Sequence, residues 1–342
     1  MNSGVDRIDL LNLYLGRRRP NDQFATCNLG TLRVELSVDY DMRVKDIDRK
    51  RHWTASATIS GVARSDQQSI LLHEPDNDGG VWDACELLTF LTGRRVTVDA
   101  ERDRYSGSLG PPLGQACIGI EVLCAANAAW ANREALVQGN LHVPLLLLNA
   151  AADSRDFQVV GALHYTALNI VADSWSTTRG PDIDSASRQR LMESVASAVD
   201  GAAIGDFCGE YKAVLRARIQ QGLGSATDKL ITLFRTLDLL PDVLSESAAR
   251  RVAEVNSCRN ALVHTGRIRQ LSKRTTEQSK QTAVALTLGV AADVCRLAIG
   301  SRLGFTTKTV GSLSQHPQEL RQYFETGYWR GKPLGGSEGV VG

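Results

Sequence analysis

Three residues within about a turn and a half of one helix carry groups that act together on phosphodiesters: Arg259, Asn260 and His264. At about 100° per residue, Ala248, Val252, Val255, Leu262 and Val263 fall within a stripe of roughly 100° on the surrounding helix. Arg259 falls at the centre of that stripe, where a helix made only for packing would carry leucine. A guanidinium keeps its charge at any accessible pH and is costly to bury without a partner. Asn260 and His264 stand four apart, stacked on one flank of the stripe. A permanent cation, a carboxamide and an imidazole thus share one end of one helix.

These groups suit cleavage of RNA by its own 2′-hydroxyl. That reaction needs a group titrating near neutrality to move a proton, which histidine supplies. It also needs a fixed positive charge against the developing phosphorane, which arginine supplies with bidentate geometry. The nucleophile belongs to the substrate, so the chemistry asks for no metal and no cofactor. From Asn256 to Ala291 there are six basic side chains (Arg259, Arg267, Arg269, Lys273, Arg274, Lys280) and one acidic one, Glu277. Arg267, Arg269, Lys273 and Arg274 are the candidate RNA-binding residues, a stretch able to track a phosphate backbone. A plain packing reading stands beside this one. The helix dipole favours a histidine in the last turn, and an arginine can pair with an acid on a neighbouring helix.

The elements that must position these residues fall into two patterns. Over the first hundred residues the pattern is mainly that of strands. Leu32 to Val38 alternates apolar and polar, with shorter runs at Trp53 to Ile59 and Ile70 to Leu72. Asp83 to Leu91 is a helix stopped at Gly93, and Val96-Thr97-Val98 is a strand beyond it. From about residue 125, amphipathic helices follow one another: Phe157 to Val171, Arg188 to Val199, Tyr211 to Ile219, a segment opened by the capping box Ser225-Ala-Thr-Asp228, Ser247 to Thr265 closed by Gly266, Lys280 to Ile299, and Gln318 to Phe324. The reading is an α+β chain: residues 1–140 a β-rich regulatory or sensing domain, residues 141–330 an all-α bundle, and residues 331–342, with five glycines, a flexible tail.

Bulk composition narrows the class. Thirty-nine basic against 38 acidic residues give a net charge of +1, so nucleic-acid contact must come from a local patch. The seven cysteines are scattered without a CxxC pair and the six histidines show no i, i+4 pairing. That argues against a disulfide framework and a structural zinc site. The sequence start lacks a signal-peptide layout, and the most apolar stretch, Ala283 to Ile299, contains Asp293 and Arg296. The reading is a cytoplasmic protein with no membrane partner. Asp46-Ile-Asp48 lies among Lys45, Arg49, Lys50 and Arg51, and Asp182-Ile-Asp184 precedes a helix; both read as solvated, not metal-binding. Gly107 to Gly114 does not fit a phosphate-binding loop, and His164 reads as structural.

Arg259-Asn260-Ala-Leu-Val-His264-Thr-Gly resembles the motif of the HEPN superfamily: arginine, a polar residue often asparagine, a short spacer, then histidine near the end of a helix in a small bundle. The preceding Val255-Asn256-Ser257-Cys258 and the following Thr265-Gly266 also resemble that motif's surroundings. Leu87-Leu88-Thr89-Phe90-Leu91-Thr92-Gly93-Arg94 resembles a segment of some larger bacterial members that carry an extra N-terminal domain. The resemblance implies a homodimer in which two motifs face each other across a cleft. It implies a metal-independent endoribonuclease acting as a toxin or antiphage-defence effector, sometimes with an antitoxin or other regulatory partner. It also leaves open a catalytically inactive HEPN-type adaptor that binds RNA or protein.

Overall fold

The structure is a computed structural model that describes residues 7–11, 13, 24–38, 54–61, 69–71, 79–93, 95–98, 120–154, 156–178, 226–241, 243–265, 277–305, 317–329, 332–333 and scattered positions between 186 and 197. It is an α+β chain, with an antiparallel sheet followed by helices.

The strands β1 (Ile8–Leu11), β2 (Phe24–Leu29), β3 (Leu32–Val38), β4 (Thr54–Ser60) and β5 (Thr97–Val98) form one sheet in the order β2-β3-β4-β1-β5. The alternation in β3 does what a period of two demands. Leu32, Val34 and Leu36 point inward and are buried, and the register sets Val34 between Cys27 of β2 and Ile59 of β4. Gly30, with φ 62°, makes the β2–β3 turn, and a Cβ there would lie 2.6 Å from the indole Nε1 of Trp130. The turn therefore needs glycine both for its backbone angle and for the ring packed on it.

Helix α1 (Gly79–Thr92) follows the sheet's first four strands and is buried along nearly all of its described length. Asp83 of α1 accepts from Ser69 Oγ at 2.6 Å and from the amides of Ile70 and Leu71 at 3.1 and 3.2 Å. Ile70 and Leu71 are thus a bend tied to a carboxylate, not the strand their sequence suggests, because their amides are spent on Asp83.

The helices beyond are α2 (Ile120–Ala131), α3 (Arg133–Gln138), α4 (His142–Asp153), α5 (Phe157–Thr178), α6 (Ala226–Thr236), α7 (Glu246–Thr265), α8 (Glu277–Ala285), a π-helical turn (Leu286–Val290), α9 (Ala291–Arg302) and α10 (Pro317–Thr326). Of the two helices expected at 188–199 and 211–219, the first is described only at scattered helical positions and the second lies outside the described residues. Helix α5 is the hub, touching α4, α6, α7, α9 and the π turn. Its first turn is capped by Asp156, whose Oδ1 accepts from the amides of Gln158 and Val159.

The hydrophobic core is continuous across residue 140. Buried Glu86 of α1 meets Arg95 at 2.8 Å and accepts from Asn149 Nδ2 of α4 at 2.6 Å, while Arg95 lies 3.7 Å from Asp153. Asn132 Nδ2, between α2 and α3, donates to the carbonyl of Leu303 at 3.2 Å. Polar contacts therefore join α1 to α4, and the α2–α3 junction to the end of α9, in addition to apolar packing.

Among the described residues one helix, Gln281–Arg302, is long and apolar enough to cross a membrane, and 78% of its most apolar window is buried inside the protein. It is a core helix here, as Asp293 and Arg296 in the sequence suggest. Residues 331–342, expected as a flexible tail, include a strand: Lys332–Pro333 (β7) pairs with Tyr328–Trp329 (β6). The anchor is Trp329, whose ring packs over Gly289 in the π turn, where a Cβ would lie 2.2 Å from it.

Candidate active site

Helix α7 carries the motif. Ser245 caps it, its Oγ accepting from the amide of Ala248 at 3.2 Å. Ala248, Val252, Val255, Cys258, Ala261 and Leu262 are buried. Each larger aliphatic side chain among them stabilises by roughly 1.5–3 kcal/mol on burial. Cys258 and Ala261 widen the buried face on the side away from Val263, so the centre of burial lies roughly 60° around the helix from Arg259. The sequence put Arg259 at the centre of the apolar stripe; the structure puts it at the margin, half-buried. The reason is that buried Tyr165 of α5 and Tyr323 of α10 come up against Cys258, which draws that side of α7 into the core.

Other contacts fix the rotation and height of α7. Arg251 Nη1 donates to the carbonyl of Phe324 at 2.7 Å. Tyr323 Oη lies 3.5 Å from Glu254 Oε2, and burial raises the carboxyl pKa of Glu254. Leu262 meets Gly161 of α5, where an added Cβ would lie 3.0 Å from Leu262 Cδ1 and 2.4 Å from Thr287 Cγ2 of the π turn. Thr287 in turn accepts, through its carbonyl, from Nδ1 of His164 at 3.1 Å. His164 is thus structural, its Nδ1 protonated and its pKa lowered to about 4, chiefly by burial.

At the site itself, Arg259 Nη1 donates to Asn260 Oδ1 at 2.7 Å. Among the described residues no carboxylate pairs with Arg259. Its Nε is closed to solvent and has no hydrogen-bond partner among the described residues. An orphan of that kind costs about 1–3 kcal/mol. His264 lies in the last turn of α7, four residues after Asn260 and so on the same flank. Gly266, Arg267, Arg269, Lys273 and Arg274 lie outside the described residues. Among the described residues no three His, Cys, Asp or Glu side chains are placed to share one metal ion.

The fold adds a residue that the motif does not include. Asn256, one turn before Asn260, donates from Nδ2 to Thr227 Oγ1 of α6 at 2.9 Å, and its Oδ1 is buried with no partner among the described residues. The signal in the sequence is the i, i+4 spacing of two asparagines, Asn256 and Asn260, on one helix. Its partner Thr227, 29 positions away, lies in the capping box that opens α6, and nothing in the sequence pairs it with Asn256.

Comparison of the chain with protein-family models, with curated proteins and with solved structures finds no match.

Proposed function

We propose that this protein is a metal-independent endoribonuclease of HEPN type. It cleaves RNA through the substrate's 2′-hydroxyl at a site completed by a second copy of the chain, and serves as a toxin or antiphage effector. The observation that carries the reading is the state of Arg259. It is a half-buried cation oriented by a neutral carboxamide, with no carboxylate partner among the described residues. The packing reading asks for such a carboxylate. Phosphate recognition asks for its absence, because an acid beside the guanidinium would compete with the substrate.

In this scheme the 2′-oxygen attacks the adjacent phosphorus and its proton passes to the imidazole of His264. Arg259 faces the phosphorane charge, held to one rotamer by Asn260. The bond from phosphorus to the 5′-oxygen breaks, and that oxygen takes a proton from an imidazolium, for which the second copy's equivalent histidine is the donor. The products are a 2′,3′-cyclic phosphate and a 5′-hydroxyl. The deciding experiment is incubation of the purified full chain with RNA in EDTA, with the fragment ends identified by mass. Products of that kind, lost in His264→Ala, support the scheme. Cleavage that needs a divalent metal and survives His264→Ala ends it.

The second reading is a catalytically inactive HEPN-type adaptor that binds RNA or protein. RNA binding without cleavage by the intact chain would favour it.

A further inference from the structure

Helices α5 and α7 run antiparallel: Gly161 of α5 packs against Leu262 of α7, and Tyr165, one turn on, meets Cys258, one turn back. The stripe that α5 turns toward α7 holds Gly161 and Tyr165, and the helical repeat adds Phe157, four residues before Gly161. The same pairing, carried past Leu262, sets Phe157 beside the end of α7, within a turn of His264. The described residues of α6 do not reach this level. Thr227, in the first turn of α6, is tied to Asn256, and from there α6 runs toward Phe234, which stacks on the Phe324 whose carbonyl holds Arg251. An apolar side chain exposed on the outer face of a helix asks for no account. Phe157 lies on the packing stripe and is nonetheless 52% exposed, while Tyr165 on the same stripe is fully buried.

A solvent-facing ring at this place can do one thing that every nucleotide allows. Each base has a π-face, and unpaired bases stack on aromatic side chains. We infer that Phe157 is a base-stacking residue for the strand bound at the motif, seating the base of a nucleotide next to the cleaved bond. By the pairing above, Phe157 stands seven residues beyond the level of Arg259, about 10 Å along the helix axis. A strand with a phosphate at Arg259 thereby brings a neighbouring base to the ring. Asp156, whose carboxylate caps α5 beside Phe157, repels a phosphate there, so the ring takes a base and not the backbone. Stacking is tolerant of base identity, so Phe157 fixes where the strand sits and not which base is cut. The inference rests on the ribonuclease reading and extends it from cleavage chemistry to placement of the strand.

The test uses the full chain carrying His264→Ala, so that RNA is bound without being cut. A short single-stranded RNA, its cleavage position mapped with the native chain, is compared with a series in which one nucleotide at a time lacks its base. One position next to the cleavage position should lose affinity on the order of tenfold, as for one base–aromatic stack. Adding Phe157→Leu keeps an apolar side chain and should erase that loss at that position alone, whereas Phe157→Trp should keep it. A fluorescent base analogue at the same position should be quenched on binding to the Phe and Trp forms and not to the Leu form. An abasic profile unchanged by Phe157→Leu, with RNA still bound, overturns this inference alone. So does a Phe157→Leu chain that falls from two copies to one in light scattering while the profile is kept, because the ring then serves a contact between copies. No RNA binding and no cleavage by the intact chain overturns the ribonuclease reading and this inference with it.

Discussion

Arg259 and Asn260 are bonded to each other, Nη1 to Oδ1 at 2.7 Å, so the carboxamide orients the cation. Adjacent residues on a helix do not face one another; the long arginine side chain reaches round to make the contact. This gives Asn260 a role that can be measured. Asn260→Ala should slow cleavage tenfold to a hundredfold, through a looser guanidinium. Arg259→Ala should cost on the order of 3 kcal/mol in the barrier, as for one preorganised charge donor. His264→Ala should abolish cleavage. Single-turnover rates on a defined RNA give all three, and a milder loss in Arg259→Ala than in Asn260→Ala would reverse the assignment.

A composite site requires two copies. Light scattering at micromolar concentration should give about twice the chain mass of 37.1 kDa. A strictly monomeric protein that still cleaves RNA rules out the two-copy scheme.

His164 makes stability depend on pH with a definite sign. Its pKa is about 4 in the folded protein against 6.5 for the free side chain, so below pH 6.5 the unfolded chain binds a proton that the folded one resists. The stability it lends is fully present above pH 6.5 and is lost as pH falls toward 4. The loss approaches about 3 kcal/mol. Urea unfolding at pH 7 and pH 4.5 should show a larger drop in the native chain than in His164→Gln. Equal drops would mean that His164 is open to protons in the folded state.

Gly161 stands where α5, α7 and the π turn meet. Gly161→Ala should destabilise by about 1–3 kcal/mol, since the new methyl overlaps Thr287 Cγ2 and presses on Leu262. Thr287→Ser removes the overlapping methyl and should recover part of that loss. Additive effects in the double variant would argue against the contact.

Glu86, Arg95 and Asn149 tie the segment before residue 140 to α4. A chain beginning near residue 140 would expose the core faces of α4 and α5 and should be insoluble, so control by the N-terminal segment is better tested in place. Glu86→Ala removes the nearer of the two carboxylates beside Arg95, with Asp153 remaining at 3.7 Å, and should cost about 1–3 kcal/mol. Thermal melting measures the cost, and the toxicity of the folded variant in cells reports whether the segment restrains cleavage. A soluble, cooperatively folded 140–342 fragment would contradict the continuous core.

Local periods were enough for much of this protein. The strand over Leu32 to Val38, the helices over Phe157 to Val171 and Ser247 to Thr265, and the core set Ala248, Val252, Val255 and Leu262 all follow from spacing, because a strand or helix repeats its geometry within a few residues. For the same reason Arg259, Asn260 and His264 could be grouped from sequence, all lying on one helix. Rotation of that helix could not be read. Cys258 is drawn into the core beside Tyr165 and Tyr323 of other helices, and with Cys258 and Ala261 buried Arg259 lies at the margin of the stripe and not at its centre. The Thr227 contact to Asn256, the Trp329 ring over Gly289, the bend at Ile70–Leu71 and the Glu86–Asn149 link join residues 12 to 63 positions apart. Sequence alone determined which residues can share a face; only the packed structure decided which face is buried and which polar atoms are left unmet, because those outcomes depend on neighbours that no local period encodes.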